Sequence, residues 1–329
     1  MIAGSEQGTF PGCLLFFEDF ELWSGFLECR SIRRFTLDRS VQQGRCRGKS
    51  FCEVPVLVVK CPYVCVKNGK QKRLNKDGGN GMSTKYKLLA LDMDGTLLTD
   101  EQNISKETAQ WIRKASKRGV HVCLSTGRAF MSALPYGEEL GLTTPMITVN
   151  GSEVWRAPHE LHLRSLMDVE LIKAMHDIAV EEDCWYWAYS VEQLYNKDQW
   201  TDEVEGKEWL KFGYHTEDDE ARHRILMQLQ DMGGLEITNS SPFNLEINPE
   251  GVNKASGIAE VCKLLGLTMS EVIAVGDSMN DLAAIQEAGL GVAMGNAQQV
   301  VKDVADYITS SNNDDGIAKV IQKFIFDEE

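Results

Sequence analysis

No stretch of this 329-residue sequence stays apolar for the roughly 18 residues that a membrane-crossing helix needs, which argues against an integral membrane protein. A basic excess is missing too. The formal net charge of −15 counts against a nucleic-acid-binding surface over the whole chain. Paired Cys-x-x-Cys steps with the His spacing of a zinc site are absent from Cys13, Cys29, Cys46, Cys52, Cys61 and Cys65, so a metal reading there is weak while a disulfide framework stays open. Phe10 to Phe26 is apolar, but Glu18, Asp19 and Glu21 interrupt it. That makes a poor signal peptide, and the acidic residues also count against a transit peptide.

What is present describes an ordinary globular protein. With 43% hydrophobic and 25% charged residues, a chain of this length can bury a sizeable core and is expected to hold two domains. Charge and cysteine are unevenly spread. Residues 1–81 carry 13 Lys+Arg against 8 Asp+Glu, a net of +5, and leave −20 for the remainder. Cys123, Cys184 and Cys262 stand singly in apolar stretches and read as buried thiols of a reducing, cytoplasmic compartment. Lys67 to Gly81 is basic, then Gly/Asn-rich, as flexible linkers are. We therefore expect residues 1–81 to be an upstream translated extension or a poorly ordered tail, and the folded body to begin at Met82.

The stretch that organises that body is Leu88 to Leu98. Four apolar residues, Leu88 to Leu91, read as a buried parallel strand, and two carboxylates, Asp92 and Asp94, follow at its carboxyl end with Gly95 and Thr96. Anions this close repel each other, and a divalent metal is the simplest remedy; an Asp-Gly turn is the plainer alternative. Strand and helix then alternate. Ser105 caps a helix with the stripe Ala109, Trp111, Ile112 and Ala115, closed by Gly119. Val120 to Leu124 is a strand ending in Ser125, Thr126, Gly127 and Arg128, a hydroxyl, a glycine amide and a guanidinium suited to an oxyanion. Met146 to Val149 ends likewise in Asn150 and Gly151.

Residues 166–244 change character. They crowd Trp185, Tyr186, Trp187, Tyr189, Tyr195, Trp200, Trp209 and Tyr214 beside acidic clusters, and read as an inserted α+β domain in which aromatic crowding is first of all core. Leu245 to Ile247 is expected to resume the main body, which then runs from 245 to 329, its first part spanning 82–165. Lys254 opens a helix, where the macrodipole disfavours a cation unless an anion lies near. Val272 to Val275 ends in Gly276, Asp277, Ser278, Met279, Asn280 and Asp281, a second carboxylate cluster at a strand end. Asp277 is placed to complete the oxygen shell begun by Asp92 and Asp94, a set that magnesium accepts. Asn296 is expected to cap the helix through Val300 to Val304.

In this order, the Asp92 to Thr96 stretch, Ser125 to Arg128, Lys254 and Gly276 to Asp281 resemble the four signature motifs of the haloacid dehalogenase (HAD) superfamily. Asn150-Gly151, the insert, and Gly291 to Ala297 with Asp315-Gly316 resemble its Cof-type, subclass IIB phosphatases. The resemblance covers residues 84–326. It implies a Rossmannoid α/β core with a parallel sheet, a C2-type α+β cap, and hydrolysis of a small phosphorylated metabolite such as a sugar phosphate, by a monomer or homodimer. Asp92 would be the nucleophile and Asp94 the general acid and base. Mg2+ would be held by Asp92, the Asp94 carbonyl and Asp277, with Asp281 orienting the loop or a bound water. Met93, Thr126, Gly127, Lys254 and Asn280 would hold the phosphoryl oxygens, and Arg128 and Asn150 would face the substrate. A dehalogenase would need neither Asp94 nor Asp277. A phosphomutase-type transferase and a non-catalytic phosphometabolite-binding regulator remain the alternatives.

Overall fold

The structure, a computed structural model, describes residues 84–328 together with the backbone of two antiparallel strands, Leu37–Arg45 and Phe51–Val59. That hairpin belongs to a unit, Met1–Gly79, separate from Asn80–Glu329. The rest of the segment expected to be an extension or a poorly ordered tail lies outside the described residues.

Within the larger unit, five parallel strands lie in the order Tyr307–Ile308, Leu290–Ala293, Val272–Gly276, Leu88–Leu91 and His121–Leu124. A further parallel bridge between Ser125 and Ile147 brings in Met146–Thr148. The three inner strands are apolar throughout because both sheet faces are covered there. On one face Leu89, Leu91, Val122 and Ile273 pack with Ile112 of helix Lys106–Lys117 and Ile317 and Ile321 of helix Gly316–Ile325. On the other, Leu88, Ala90, Cys123 and Ala274 pack with Ile258 and Val261 of helix Lys254–Leu265. Every strand of this sheet therefore delivers its carboxyl end to one rim. Asp92, Ser125 and Asp277 follow three of those ends directly.

The insert is a second layer pair. Five antiparallel strands run in the order Leu235–Thr238, Asn244–Pro249, Trp209–His215, Trp185–Ser190 and Leu194–Asn196. Helices Val169–Glu181 and Asp219–Met232 cover one face of this sheet through a core that includes Ile172, Met175, Tyr186, Phe212, Tyr214, Ile225 and Ile247. Leu245 to Ile247, expected to resume the parallel core, is instead the middle of Asn244–Pro249, hydrogen-bonded on both sides within the insert's sheet. Its alternation is the reason. Leu245 and Ile247 point into the insert's core, while Asn244, Glu246 and Asn248 point the other way, as one-sided antiparallel strands do. The hairpin Glu153–Ala157 and Glu160–Arg164, which no periodicity announced, links Met146–Thr148 to the insert.

A second correction concerns Asn296. Helix Gln299–Val304 starts after Gln298 with no side-chain cap. The Asn296 amide instead donates to the Gly95 carbonyl at 2.8 Å and accepts from the Asn312 backbone at 3.0 Å, tying three loops at the rim.

The polar face of the insert meets the core through a buried ion pair. Lys211 and Glu246, only 2% and 5% exposed, lie 2.7 Å apart on neighbouring strands. Glu246 also accepts from the Asn150 amide at 2.6 Å and from Ser240 Oγ at 2.8 Å, while Lys211 reaches the Gly127 carbonyl at 3.4 Å. Burial alone would push the Glu246 carboxyl up; Lys211 and the Asn150 and Ser240 hydrogen bonds outweigh it and hold the group below its usual range. Removing one member strands a buried charge. Lys211→Met or Glu246→Leu alone is expected to cost about 3–5 kcal/mol of stability, and the double variant to recover much of that loss. Urea unfolding checks this, and simple additivity of the two losses would show the pair to be uncoupled.

Candidate active site

Asp92 leaves the central strand with its amide donating to the Val275 carbonyl at 3.1 Å, so the backbone ladder itself fixes its position. The chain then turns back at once. Leu97 and Leu98 amides bond to the Asp92 and Met93 carbonyls, and Met93 turns its side chain into the core. Gly95 adopts φ +75°, and a Cβ there would stand 2.6 Å from Asp277 Oδ2. Glycine is needed twice over: for the left-handed backbone and for the close approach of a carboxylate.

The neighbouring strand supplies that carboxylate. Asp277 accepts from Thr96 Oγ1 at 3.2 Å and from Ser278 Oγ at 3.0 Å. Behind it, Asp281 Oδ2 takes the backbone N–H groups of Asp277 and Ser278 at 3.0 and 3.1 Å, which holds the loop in place. Lys254, the first residue of its helix and 1% exposed, donates to Asp92 at 2.6 Å, Asp281 at 2.7 Å and Asn280 Oδ1 at 3.3 Å. Two carboxylates thus offset the cost of a cation at a helix start.

Asp92, Asp277 and Asp281 each offer an oxygen, and these three atoms lie within 4.8 Å of one another. Burial drives the Asp92 carboxyl well up; Lys254 opposes this, and Asp281 and Asp277 add to it. Burial and Asp281 also raise Asp277, to about 6. Three carboxylates against one lysine leave negative charge uncompensated in a dry site. Hard oxygen donors with excess negative charge suit a divalent cation such as magnesium, so the residues present fit the metal that the motifs imply.

The other expected residues gather around this centre, with one difference. The Asp94 side chain is not part of the carboxylate cluster. It is half exposed and held by Arg128, whose Nε and Nη2 donate to its two oxygens at 2.8 and 2.5 Å. Arg128, expected to face substrate, is thus engaged with Asp94 and with Gln102. Thr126 is fully buried, its hydroxyl accepting the Arg128 amide at 3.1 Å. A Cβ on Gly127 would come within 2.9 Å of Asn150 Oδ1, so glycine leaves room for Asn150 to approach. Asn150 links the layers: its Oδ1 accepts from Asn280 Nδ2 at 3.4 Å, and its amide donates to Glu246.

Several neighbours lay outside the sequence reading. Asn239 and Ser240, on the insert's Leu235–Pro249 hairpin turn, accept from the Asn280 backbone at 3.0 Å and from Ser278 Oγ at 3.1 Å through their carbonyls. Backbone acceptors in a turn leave no residue-type signal. Tyr189 is a second. Burial pushes its phenol up, with Glu246 and Asp94 adding to this and Arg128 opposing it.

Comparison with known proteins agrees with this geometry. The family model described as haloacid dehalogenase-like hydrolase matches residues 89–227 and 196–321. The 5-amino-6-(5-phospho-D-ribitylamino)uracil phosphatase YcsE of Bacillus subtilis is 47% identical over 239 residues, which is 73% of this chain and 96% of that protein. A putative phosphatase of Streptococcus pyogenes, M6_Spy0533, is 34% identical across 73% of this chain and 98% of its own length. Among solved structures, the HAD subclass IIB sugar phosphatase BT4131 superposes with a TM-score of 0.65 at 25% identity, covering 72% of this chain and 98% of that one. Three strand-end motifs and the helix-start Lys254 on one rim, an inserted α+β cap and these relatives place the chain in the haloacid dehalogenase-like hydrolase family, among its Cof-type phosphoric monoester hydrolases.

Proposed function

We propose that the chain is a magnesium-dependent phosphatase that hydrolyses a small phosphorylated metabolite through an aspartyl-phosphate on Asp92. The observation that carries this reading is the buried cluster of Asp92, Asp277 and Asp281 around Lys254. An Asp92 oxygen attacks phosphorus, the ester P–O bond breaks, and the leaving alkoxide takes a proton from Asp94. Water then attacks phosphorus and gives a proton to Asp94 while the bond from Asp92 to phosphorus breaks, releasing inorganic phosphate and the Asp92 carboxylate. For both proton transfers Asp94 must leave the Arg128 fork that holds it in this structure. Lys254 and Asn280, with the amides after Asp92 and Thr126, offset the charge that spreads over the phosphoryl oxygens. Asp92, the Asp94 carbonyl and Asp277 would hold magnesium, which when bound supplies positive charge to the phosphoryl group.

The substrate reading follows the cap. A sugar or polyol phosphate is supported by the sugar phosphatase among the structural neighbours and by the ribityl phosphate in the name of the Bacillus relative. We place the enzyme in the cytoplasm, a reading supported by Cys123, Cys184 and Cys262 as free, buried thiols.

The nucleophile assignment is tested by Asp92→Asn, expected to stay folded and lose phosphate release; activity near the parent's would remove Asp92 from that role. Asp94→Asn is expected to keep phosphate binding and slow turnover by about 10²–10⁴-fold, the usual scale for a lost general acid and base. EDTA is expected to stop turnover of the parent protein and added magnesium to restore it; turnover that persists under chelation would refute the metal assignment.

A further inference from the structure

The face of the cap sheet turned away from its helices carries more than the Lys211–Glu246 pair. Cross-strand register puts Trp187, Gly213 and Glu246 in one row, and Tyr189 beside Lys211 in the next. Residues paired across an antiparallel ladder share a face. Since Glu246 reaches Asn150 and Lys211 reaches Gly127, that face is the one presented to the catalytic rim. Trp187 and Tyr189 therefore stand opposite the phosphoryl site, not in the aromatic core of Tyr186, Phe212 and Tyr214 on the other face.

Gly213 shapes the row. A Cβ there would lie 2.3 to 2.9 Å from Cζ2, Cε2 and Cη2 of Trp187, so the benzo ring occupies the place of a missing side chain and leans across the sheet towards Glu246. No other aromatic ring stacks on Trp187 among the described residues, whereas Tyr186, Tyr195, Trp200 and Trp209 meet one another edge-on, tilted or, for Trp200 and Trp209, stacked. The indole is half-buried and stays partly open to solvent. Two residues along the strand, Tyr189 pairs with Lys211, whose ammonium lies 5.7 Å from the phenol ring centre and reaches the Gly127 carbonyl. A leaving group that extends from the rim towards the cap meets this face, with Tyr189 beside Lys211 and Trp187 beside Gly213.

We infer that Trp187, laid on Gly213, is a specificity-determining platform that stacks a planar, unsaturated ring at the far end of a phosphorylated polyol. This rests on the phosphatase reading and adds to it the class of leaving group. A flat indole seated on a residue without a side chain favours a flat partner, because stacking needs two extended π faces in contact and a bare polyol has none.

The test uses two substrates with the same phosphorylated end, ribitol 5-phosphate and 5-amino-6-(5-phospho-D-ribitylamino)uracil, assayed by phosphate release. The parent enzyme is expected to favour the ring-bearing substrate. Trp187→Ala should lower the ratio of kcat/KM for the ring-bearing over the ring-free substrate by about ten- to hundred-fold, mostly through KM of the former. Trp187→Phe should retain much of the preference and Trp187→Leu, apolar but not flat, should lose it; this pair decides the matter if the alanine variant does not fold. A ratio unchanged in the Leu variant, or falling equally in Phe and Leu, overturns the platform while leaving the phosphatase reading intact. Failure of the parent to release phosphate from either substrate, or from p-nitrophenyl phosphate, overturns both.

Discussion

The bond between Lys254 and two carboxylates is the constraint on which the rest of the site depends. Asp92, Asp277 and Asp281 sit where three backbone segments converge, and removing such groups from water without a counter-charge is prohibitive. Lys254 supplies one cation from a helix start, its ammonium shared between Asp92 and Asp281. What it leaves uncompensated is the property that suits the rim to a divalent ion and a phosphoryl group. The parallel sheet is the scaffold for that balance: register fixes Asp92 against Val275, and Gly95 and Gly276 let carboxylates approach to distances that a Cβ would block.

The cap obeys a different logic. Its sheet is covered by helices on one face and opposed to the catalytic rim on the other, so side-chain parity along each strand decides whether a residue serves stability or recognition. Tyr186, Ala188, Phe212 and Ile247 fall on the first side; Trp187, Tyr189, Lys211 and Glu246 fall on the second. A one-residue register slip would exchange the two sets. The buried Lys211–Glu246 pair resists such a slip, since either partner moved to the helix side would lie unpaired in an apolar core.

Much of the catalytic rim was legible in the chain because each of its residues follows an apolar run that must be a strand, and strand ends in an open α/β sheet are where ligands bind. Asp92, Thr126 and Asp277 needed no more than that, whereas Lys254 stands at a helix start and was legible only through its mismatch with the macrodipole and the motif order. The cap was harder. Asn244 to Pro249 alternates apolar and polar residues, the mark of a one-sided antiparallel strand, yet its position before the Lys254 helix suggested the main sheet. Trp209 to His215 carried no period-two signal because the core covers its polar face and every residue but His215 is buried. Asn296 satisfied a capping pattern locally, but stronger partners existed across the rim, at Gly95 and Asn312. The Arg128 fork on Asp94 is likewise a tertiary fact, invisible to spacing.

The turn of the cap hairpin that rests on the loop bearing Asp277 has a thermodynamic corollary. Asn239 and Ser240 hold the Asn280 amide and the Ser278 hydroxyl, so lifting the cap would break bonds that order the carboxylate loop itself. In the proposed enzyme, cap position and cation affinity would then be linked functions, and linkage is reciprocal. With the proposed cation bound, whatever clamps the cap down would tighten the grip on it, and filling that site would bias the cap towards closure, so loading of one site would prime the other with no relay between them.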